Sequence, residues 1–179
     1  VSSDNTAELL GTYCKKDSRF KYHHRPKDQP KGGNAARNYG FELSKGEYIN
    51  WFDSDDIMLN EIIEKKIQLL NSEKIKAIIC SGFLTDEKLN VLRPTNYCNE
   101  GDLFKEYTLR KSDILTPSVL FRKSVLNSLE LFNVNLTDGQ ETDFFHRFLF
   151  NLKKDEYVYV DEKLFLYRKH DNSIGNEKI

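Results

Sequence analysis

The stretch Tyr48-Ile49-Asn50-Trp51-Phe52-Asp53-Ser54-Asp55-Asp56 passes from a mostly apolar run into three carboxylates within four positions. As a buried strand, the run puts those carboxylates at its C-terminal end, where open α/β sheets place their ligands. Aspartates spaced i, i+2 can there share one divalent cation through oxygen, and such a cation can hold a diphosphate. The competing reading is an N-capping turn, with Asp at the start of a helix beginning near Leu59. Capping needs one Asp, and the residue types leave both readings open.

Outward from that stretch, strand and helix signals alternate. Upstream, Ser3 or Asp4 is placed to cap a first helix running through Glu8-Leu9-Leu10 to about Lys16. The β-prone residues 20–24 predict a short strand, and two prolines with two glycines in 25–33 predict a loop. Residues 34–43 predict a helix with Ala35, Tyr39 and Leu43 on one face, closed by Gly46 just before a strand over 48–52. Downstream, Leu59, Ile62, Ile63, Ile67 and Leu70 follow helical spacing over 59–70. Residues 77–83 predict a buried strand, 86–99 a polar loop and 103–107 a short helix. A strand over 116–121 is entered through Pro117; helices over 123–129 and 141–152 follow, then strands over 157–160 and 164–168. This alternation, with no repeat and no dividing linker, predicts one layered α/β domain.

The 179 residues suffice for a single domain with a sizeable core. Apolar residues at 39% and charged residues at 31% mark a globular chain. Its 27 basic and 28 acidic side chains give a net charge of −1 and no general pull towards nucleic acid or membrane. Apolar runs are only a few residues long, against roughly 20 for a bilayer span, and the polar opening residues do not form a signal peptide. Cys14, Cys80 and Cys98 are odd in number and match no zinc spacing. Unreactive thiols in a reducing compartment are expected, with Cys80 in a buried strand.

Three segments carry chemistry. In Lys31-Gly32-Gly33-Asn34-Ala35-Ala36-Arg37-Asn38, the glycines admit a ligand close to the backbone, the helix start beyond favours an anion, and Arg37 can reach a phosphate or a carboxylate. A plain turn with a solvated arginine would look the same. In Asp138-Gly139-Gln140-Glu141-Thr142-Asp143, Glu141 and Asp143 open an amphipathic helix, where the macrodipole is reason enough for them. A carboxylate beside a cleft also serves as a general base. Finally, His170 in Tyr167-Arg168-Lys169-His170-Asp171-Asn172-Ser173 gains interest only if the fold brings it near Asp55.

Together these segments resemble the family 2 glycosyltransferases of the GT-A fold. The ordered series is Ser2-Ser3-Asp4-Asn5-Thr6, then residues 31–40, Lys45-Gly46-Glu47 leading into the opening stretch, Ser118-Val119-Leu120-Phe121-Arg122-Lys123, Gln140-Glu141-Thr142-Asp143 with Arg147, and Tyr167-Arg168-Lys169-His170. Residues 32–56 are its specific part. The resemblance implies an α/β, Rossmann-like mixed central sheet flanked by helices, in one domain over 1–179. Residues 1–58 would serve the nucleotide-sugar and metal, and 59–179 the acceptor side. Family members open with two strands, the second ending in acidic residues that recognise the base. Val1 falls in the turn after them, so the chain is expected to be N-terminally truncated, lacking those strands and part of the donor pocket.

By position, the resemblance gives Asp53 and Asp55 to the Asp-any-Asp motif that holds Mg²⁺ or Mn²⁺, with His170 near the metal and diphosphate. It assigns Gly33, Arg37, Asn38, Asp53 and Ser54 to the nucleotide-sugar, leaving Asp56 to capping. Glu141 falls where the family usually places its catalytic Asp, with Asp143 as the alternative base. The implied reaction is metal-dependent, inverting transfer from a nucleotide-sugar donor to a glycan or lipid-linked acceptor, in cell-surface polysaccharide or glycan synthesis. The implied setting is cytoplasmic, with no nucleic-acid partner and with membrane contact only peripheral, at the inner face. Competing readings are an inactive sugar-nucleotide-binding remnant and a Mg²⁺-dependent phosphatase of the haloacid dehalogenase type, with Asp53 as nucleophile. An EF-hand would use Asp53, Asp55 and Glu64 but fails, because Met58 stands where its loop requires Gly.

Overall fold

The computed structural model describes residues 4–98 and 101–170. Ser3, Asn99 and the positions beyond His170 named above lie outside the described residues. In chain order the first elements are α1 (Thr6–Lys16), α2 (Gly33–Leu43), β1 (Tyr48–Ile49), β2 (Ile57–Met58), α3 (Ile62–Gln68) and β3 (Ala77–Thr85). Then come β4 (Val91–Pro94), α4 (Leu103–Thr108), a 3-10 turn (Thr116–Ser118), β5 (Val119–Arg122), α5 (Lys123–Leu126), α6 (Gln140–Phe150) and β6 (Tyr157–Arg168).

The sheet is built on β3, which is buried almost throughout and runs parallel to β6 from Ala77↔Tyr157 to Thr85↔Arg168. The strand order is β1-β5-β3-β6-β2. β5 pairs antiparallel with both β1 and β3, so β1, β3 and β6 point the same way. Alternation along β3 gives the sheet two cores. Ala77 and Ile79 join Trp51, Phe121, Phe144, Phe145 and Phe148 on the α6 side, whereas Cys80 joins Ile62, Leu164 and Phe165 beneath α3. Gly82 is needed for closeness: a Cβ there would lie 2.5 Å from the Phe165 ring. Cys80 is buried as expected, and burial raises its thiol pKa.

Several expected elements change. Residues 20–24 enter no ladder among the described residues, and β-propensity without a partner edge makes no strand. The segment leans on neighbours instead: Phe20 packs on Tyr13 with ring centroids 5.8 Å apart, and the Tyr39 hydroxyl donates to the His24 carbonyl at 3.5 Å. The expected 86–99 loop contains β4, hairpinned onto β3 with the Asp86 carboxylate accepting the backbone N–H groups of Lys88 and Asn90. β4 is exposed on both faces, so no apolar alternation announced it. The two closing strands are one, because the ladder steps from Cys80↔Val160 to Ser81↔Lys163 and lets Asp161 and Glu162 bulge. The helix expected from Leu59 starts at Ile62, since Ile57, Met58 and Leu59 bond to β6. Its buried side chains are Ile62 and Lys66, leaving Ile67 45% exposed. Likewise α2 buries Asn34 and Ala35 and packs Phe41 on the core, while Leu43 faces outward.

Candidate functional site

The site forms at the C-terminal ends of β1 and β6, against the first turn of α6. Trp51 fixes the first part. Its ring meets Phe121, Phe132 and Phe144 edge-on at centroid distances of 5.4, 5.0 and 5.6 Å. Its indole N–H donates to the Arg37 carbonyl at 3.1 Å. The core thus holds the chain two residues before Asp53 and ties it to α2. The turn then closes through the Asp56 N–H and the Asp53 carbonyl, 3.3 Å apart.

Arg37 reaches across this turn. Nη2 donates to Asp53 Oδ2 at 2.6 Å and stands 3.6 Å from Glu141 Oε1, while the guanidinium lies over the Phe132 ring. One cation therefore joins the aspartate turn to α6. Gly33 permits the geometry: a Cβ there would lie 3.3 Å from Arg37 Nη1 and 3.7 Å from Gln140 Oε1. Asn38 bonds both ways to the Phe132 backbone, Nδ2 donating at 2.8 Å and Oδ1 accepting at 3.1 Å. Asn34 donates to the Asn133 carbonyl. These two amides hang the chain before α6 on α2.

Glu141 is mostly buried, and its Oε2 accepts the Thr116 N–H at 3.2 Å. Burial raises its pKa; the Thr116 bond and Arg37 oppose the rise, and Asp53 adds to it. Asp143, two residues on, bonds to its own helix: Oδ2 accepts from Arg147 Nη2 at 2.6 Å. Arg147 also donates to the Glu130 and Leu131 carbonyls.

On the far side, His170 Nε2 lies 3.0 Å from Asp55 Oδ2, fulfilling the condition set for that histidine. Ser54 is exposed at the tip of the turn. Asp56 does not cap a helix: it is buried and accepts the Arg168 N–H at 2.9 Å, locking the turn to the end of β6. Its Oδ2 has no partner among the described residues. Burial pushes this carboxyl up to about 7 against the Arg168 bond, with Asp55, Asp53 and Glu141 adding repulsion. Tyr167 faces the same four carboxylates; burial first and then their charge raise its pKa, so the phenol stays protonated and able to donate. Thr116 and Tyr167 were not singled out from the sequence. Thr116 acts through its backbone, for which residue type is no signal, whereas Tyr167 stood in the 167–170 motif beside the histidine that drew attention.

Among the described residues no three His, Cys, Asp or Glu side chains converge to make a protein-only metal centre. The donor set still fits a divalent cation completed by a ligand. Neighbouring ligands on an octahedral ion with bonds of about 2.1 Å stand about 3.0 Å apart, and Nε2 and Oδ2 are 3.0 Å apart. The unpartnered Asp56 oxygen and the mutual repulsion of four carboxylates leave positive charge wanting. Also among the described residues, no helix is long and apolar enough to cross a membrane.

Comparisons with known proteins bear on the family and the fold. The chain is 28% identical to the glycosyltransferase GlyG of Streptococcus pneumoniae over 97% of its length, covering 60% of that protein. It is 27% identical to an uncharacterized glycosyltransferase of Methanocaldococcus jannaschii over 96% of its length and 59% of the relative. It thus spans about 60% of these relatives. Among solved structures, Staphylococcus aureus TarS residues 1–349 superpose with a TM-score of 0.69 at 18% identity, over 94% of this chain and 49% of that one. The same protein in complex with UDP-GlcNAc gives 0.65 at 16% identity, over 97% and 48%. These structures share the expected fold, a mixed sheet flanked by helices. A family model described as glycosyl transferase family 2 matches residues 1–130. The phosphatase and EF-hand readings fall with that match, and Glu64 lies inside α3 rather than in a loop. The chain belongs to glycosyl transferase family 2.

Proposed function

We propose that the protein transfers a sugar, with inversion, from a nucleotide-sugar to an acceptor hydroxyl, with Glu141 as the base and Asp53, Asp55 and His170 on the metal and diphosphate side. The observation that carries this reading is the Arg37 guanidinium shared by Asp53 and Glu141. It brings donor-side and base-side carboxylates to one cleft. The UDP-GlcNAc complex of TarS supports a nucleotide-sugar as the donor class.

Asp55 and His170, whose donor atoms are 3.0 Å apart, would hold Mg²⁺ or Mn²⁺ with Asp53 beside them on the same turn; diphosphate and water oxygens would complete the shell, as is usual for these ions. Bound there, the ion supplies charge neutralisation to the departing diphosphate. The rest falls to the chain. Glu141, held by the Thr116 N–H and kept basic by burial, takes the proton of the acceptor hydroxyl. The acceptor oxygen forms a bond to the anomeric carbon from the face opposite the phosphate. The bond from that carbon to the phosphate oxygen breaks, and its electron pair leaves with the nucleoside diphosphate. Asp143 is the weaker candidate for base, because Arg147 occupies it.

Gly33 and Asn38 shape this site from behind: Gly33 makes room for Arg37, and Asn38 fixes the Phe132 backbone beneath it. Ser54, exposed on the turn, is left to meet the donor directly. Residues 1–58 then serve donor and metal and 59–179 mainly the acceptor, a glycan or lipid-linked hydroxyl in cell-surface polysaccharide or glycan synthesis, with cytoplasmic chemistry at most peripheral to the membrane. The division is by ligand, since strands of both parts share one sheet. Asp55→Ala in the full-length protein tests the reading: Mn²⁺-dependent turnover of the preferred nucleotide-sugar should vanish while circular dichroism is preserved. Undiminished turnover would sink it.

A further inference from the structure

Lys66 lies on α3 one turn after Ile62, with 0% of its surface exposed. Among the described residues no carboxylate pairs with it. Its Nζ donates to Asn50 Oδ1 at 3.0 Å and to the Pro117 carbonyl at 3.1 Å, and the Cys80 thiol is its other neighbour. Burial lowers its pKa to about 8 against the partial compensation from Cys80. A methionine would fill this space without desolvating a charge, so packing alone does not account for an ammonium here.

The two acceptors lie where the site is assembled. Asn50 opens Asn50-Trp51-Phe52-Asp53, and Pro117 follows Thr116, whose N–H holds Glu141. The β1–β5 ladder that joins these strands ends at Ile49↔Phe121, so Asn50 and Pro117 both lie beyond it. Past that point the ammonium links the two chains. Asn50 reinforces it, with Nδ2 donating to the Trp51 carbonyl at 2.9 Å and reaching the Pro117 carbonyl at 3.5 Å.

We propose that Lys66 is a positioning residue of the transfer site, its buried ammonium clamping the strand that delivers Asp53 to the turn that holds Glu141. It touches neither donor nor acceptor; it fixes the distance between the two halves of the cleft. The inference rests on reading Glu141 as the base, but the clamp itself is a physical link that can be measured without turnover.

The test uses Lys66→Met and Asn50→Leu in the full-length protein. Misplacing a base costs rate at the chemical step more than donor affinity. The expected result for each variant is a kcat lowered about ten- to a hundredfold, with the donor KM within about threefold and the circular dichroism of the parent. Hydrogen exchange should quicken at the amides of Thr116, Ser118 and Val119, Pro117 having none, and stay unchanged along β3 and β6. Folded variants with kcat within twofold of the parent and unaltered exchange at 116–119 would overturn the clamp. So would a loss of kcat that merely follows the folded fraction. If Lys66→Met does not fold, Asn50→Leu decides on the same readings. If the parent turns over no nucleotide-sugar, the functional reading fails, and exchange at 116–119 decides the clamp alone.

Discussion

The aspartate turn at residues 53–56 and the first turn of α6 are the two acidic sides of one cleft, and they divide their carboxylates alike. In each, one acid is committed to backbone architecture and another is left to the cleft. Asp56 binds the Arg168 N–H and locks the turn to β6, while Asp55 stands beside His170. Asp143 binds Arg147, whose guanidinium holds the Glu130 and Leu131 carbonyls, while Glu141 faces Arg37. A cluster of acids is therefore not a cluster of equivalent ligands or bases. Under the proposed function, the nearest committed donor decides which member is left for chemistry, and the spacing of the acids along the chain does not reveal that donor.

The largest effect that can break this comparison comes from exchanging the two acids of α6. General-base catalysis contributes about 10²–10⁴-fold, so Glu141→Gln should lower kcat by about that factor with little change in the donor KM. Asp143→Asn should keep kcat within about tenfold of the parent, since its task is to hold Arg147. Steady-state kinetics on both variants of the full-length protein decide it, and the reverse ranking would make Asp143 the base.

A smaller effect sharpens the role of the shared guanidinium. Glu141 must be ionised to accept a proton, and its folded-state pKa lies above the ordinary carboxylate value. Activity should therefore fall on acidification already above the normal range for a glutamate. Arg37 opposes that rise, so Arg37→Met should raise the pKa further and move the acidic limb of the kcat profile to higher pH. A limb that stays in place would show that Arg37 serves Asp53 alone.

How far the sequence disclosed this depended on whether a residue's neighbours along the chain decide its fate. β3 was legible because a nearly unbroken apolar run suits a strand buried on both faces, and α6 because its apolar residues meet the core with a helical period. Tyr48 to Asp56 was legible in part: the strand expected over 48–52 pairs only at Tyr48 and Ile49, where β1 meets β5, and the turn begins soon after. Lys66 was not, because a lysine outside the Ile62, Ile63 and Ile67 pattern reads as solvated face, and only the Asn50 and Pro117 oxygens, both distant in sequence, make room for it inside. Asp56 read as a cap for the same reason: its partner, Arg168, is the last residue of β6. Residues 20–24 carry strand propensity, yet a strand is a property of two segments, and no second one lies beside them among the described residues. Helix α1 forms where its amphipathic pattern was expected, yet its N-cap Asn5 makes no side-chain cap bond and none of its residues is buried.

The smallest predicted effect isolates the architectural member of the α6 pair. The side chains of Arg147 and Asp143 are both about one-third exposed, so their ion pair alone is worth at most about 1 kcal/mol. Arg147 also satisfies the Glu130 and Leu131 carbonyls, and each such bond adds about 1 kcal/mol. Arg147→Ala should then destabilise the protein by about 1–3 kcal/mol. In a chain of this size about 1 kcal/mol shifts the melting temperature by roughly 2–4 °C, which differential scanning fluorimetry resolves. Phe132 follows these carbonyls directly and underlies Arg37, so slackening residues 130–131 should also loosen the hold of Asn38 on the Phe132 backbone. The melting temperature of Asn38→Ala combined with Arg147→Ala should accordingly fall by less than the sum of the single losses, because both act on one segment. Full additivity would mean that the two anchors are independent, and that Asp143 supports α6 without reaching the cleft.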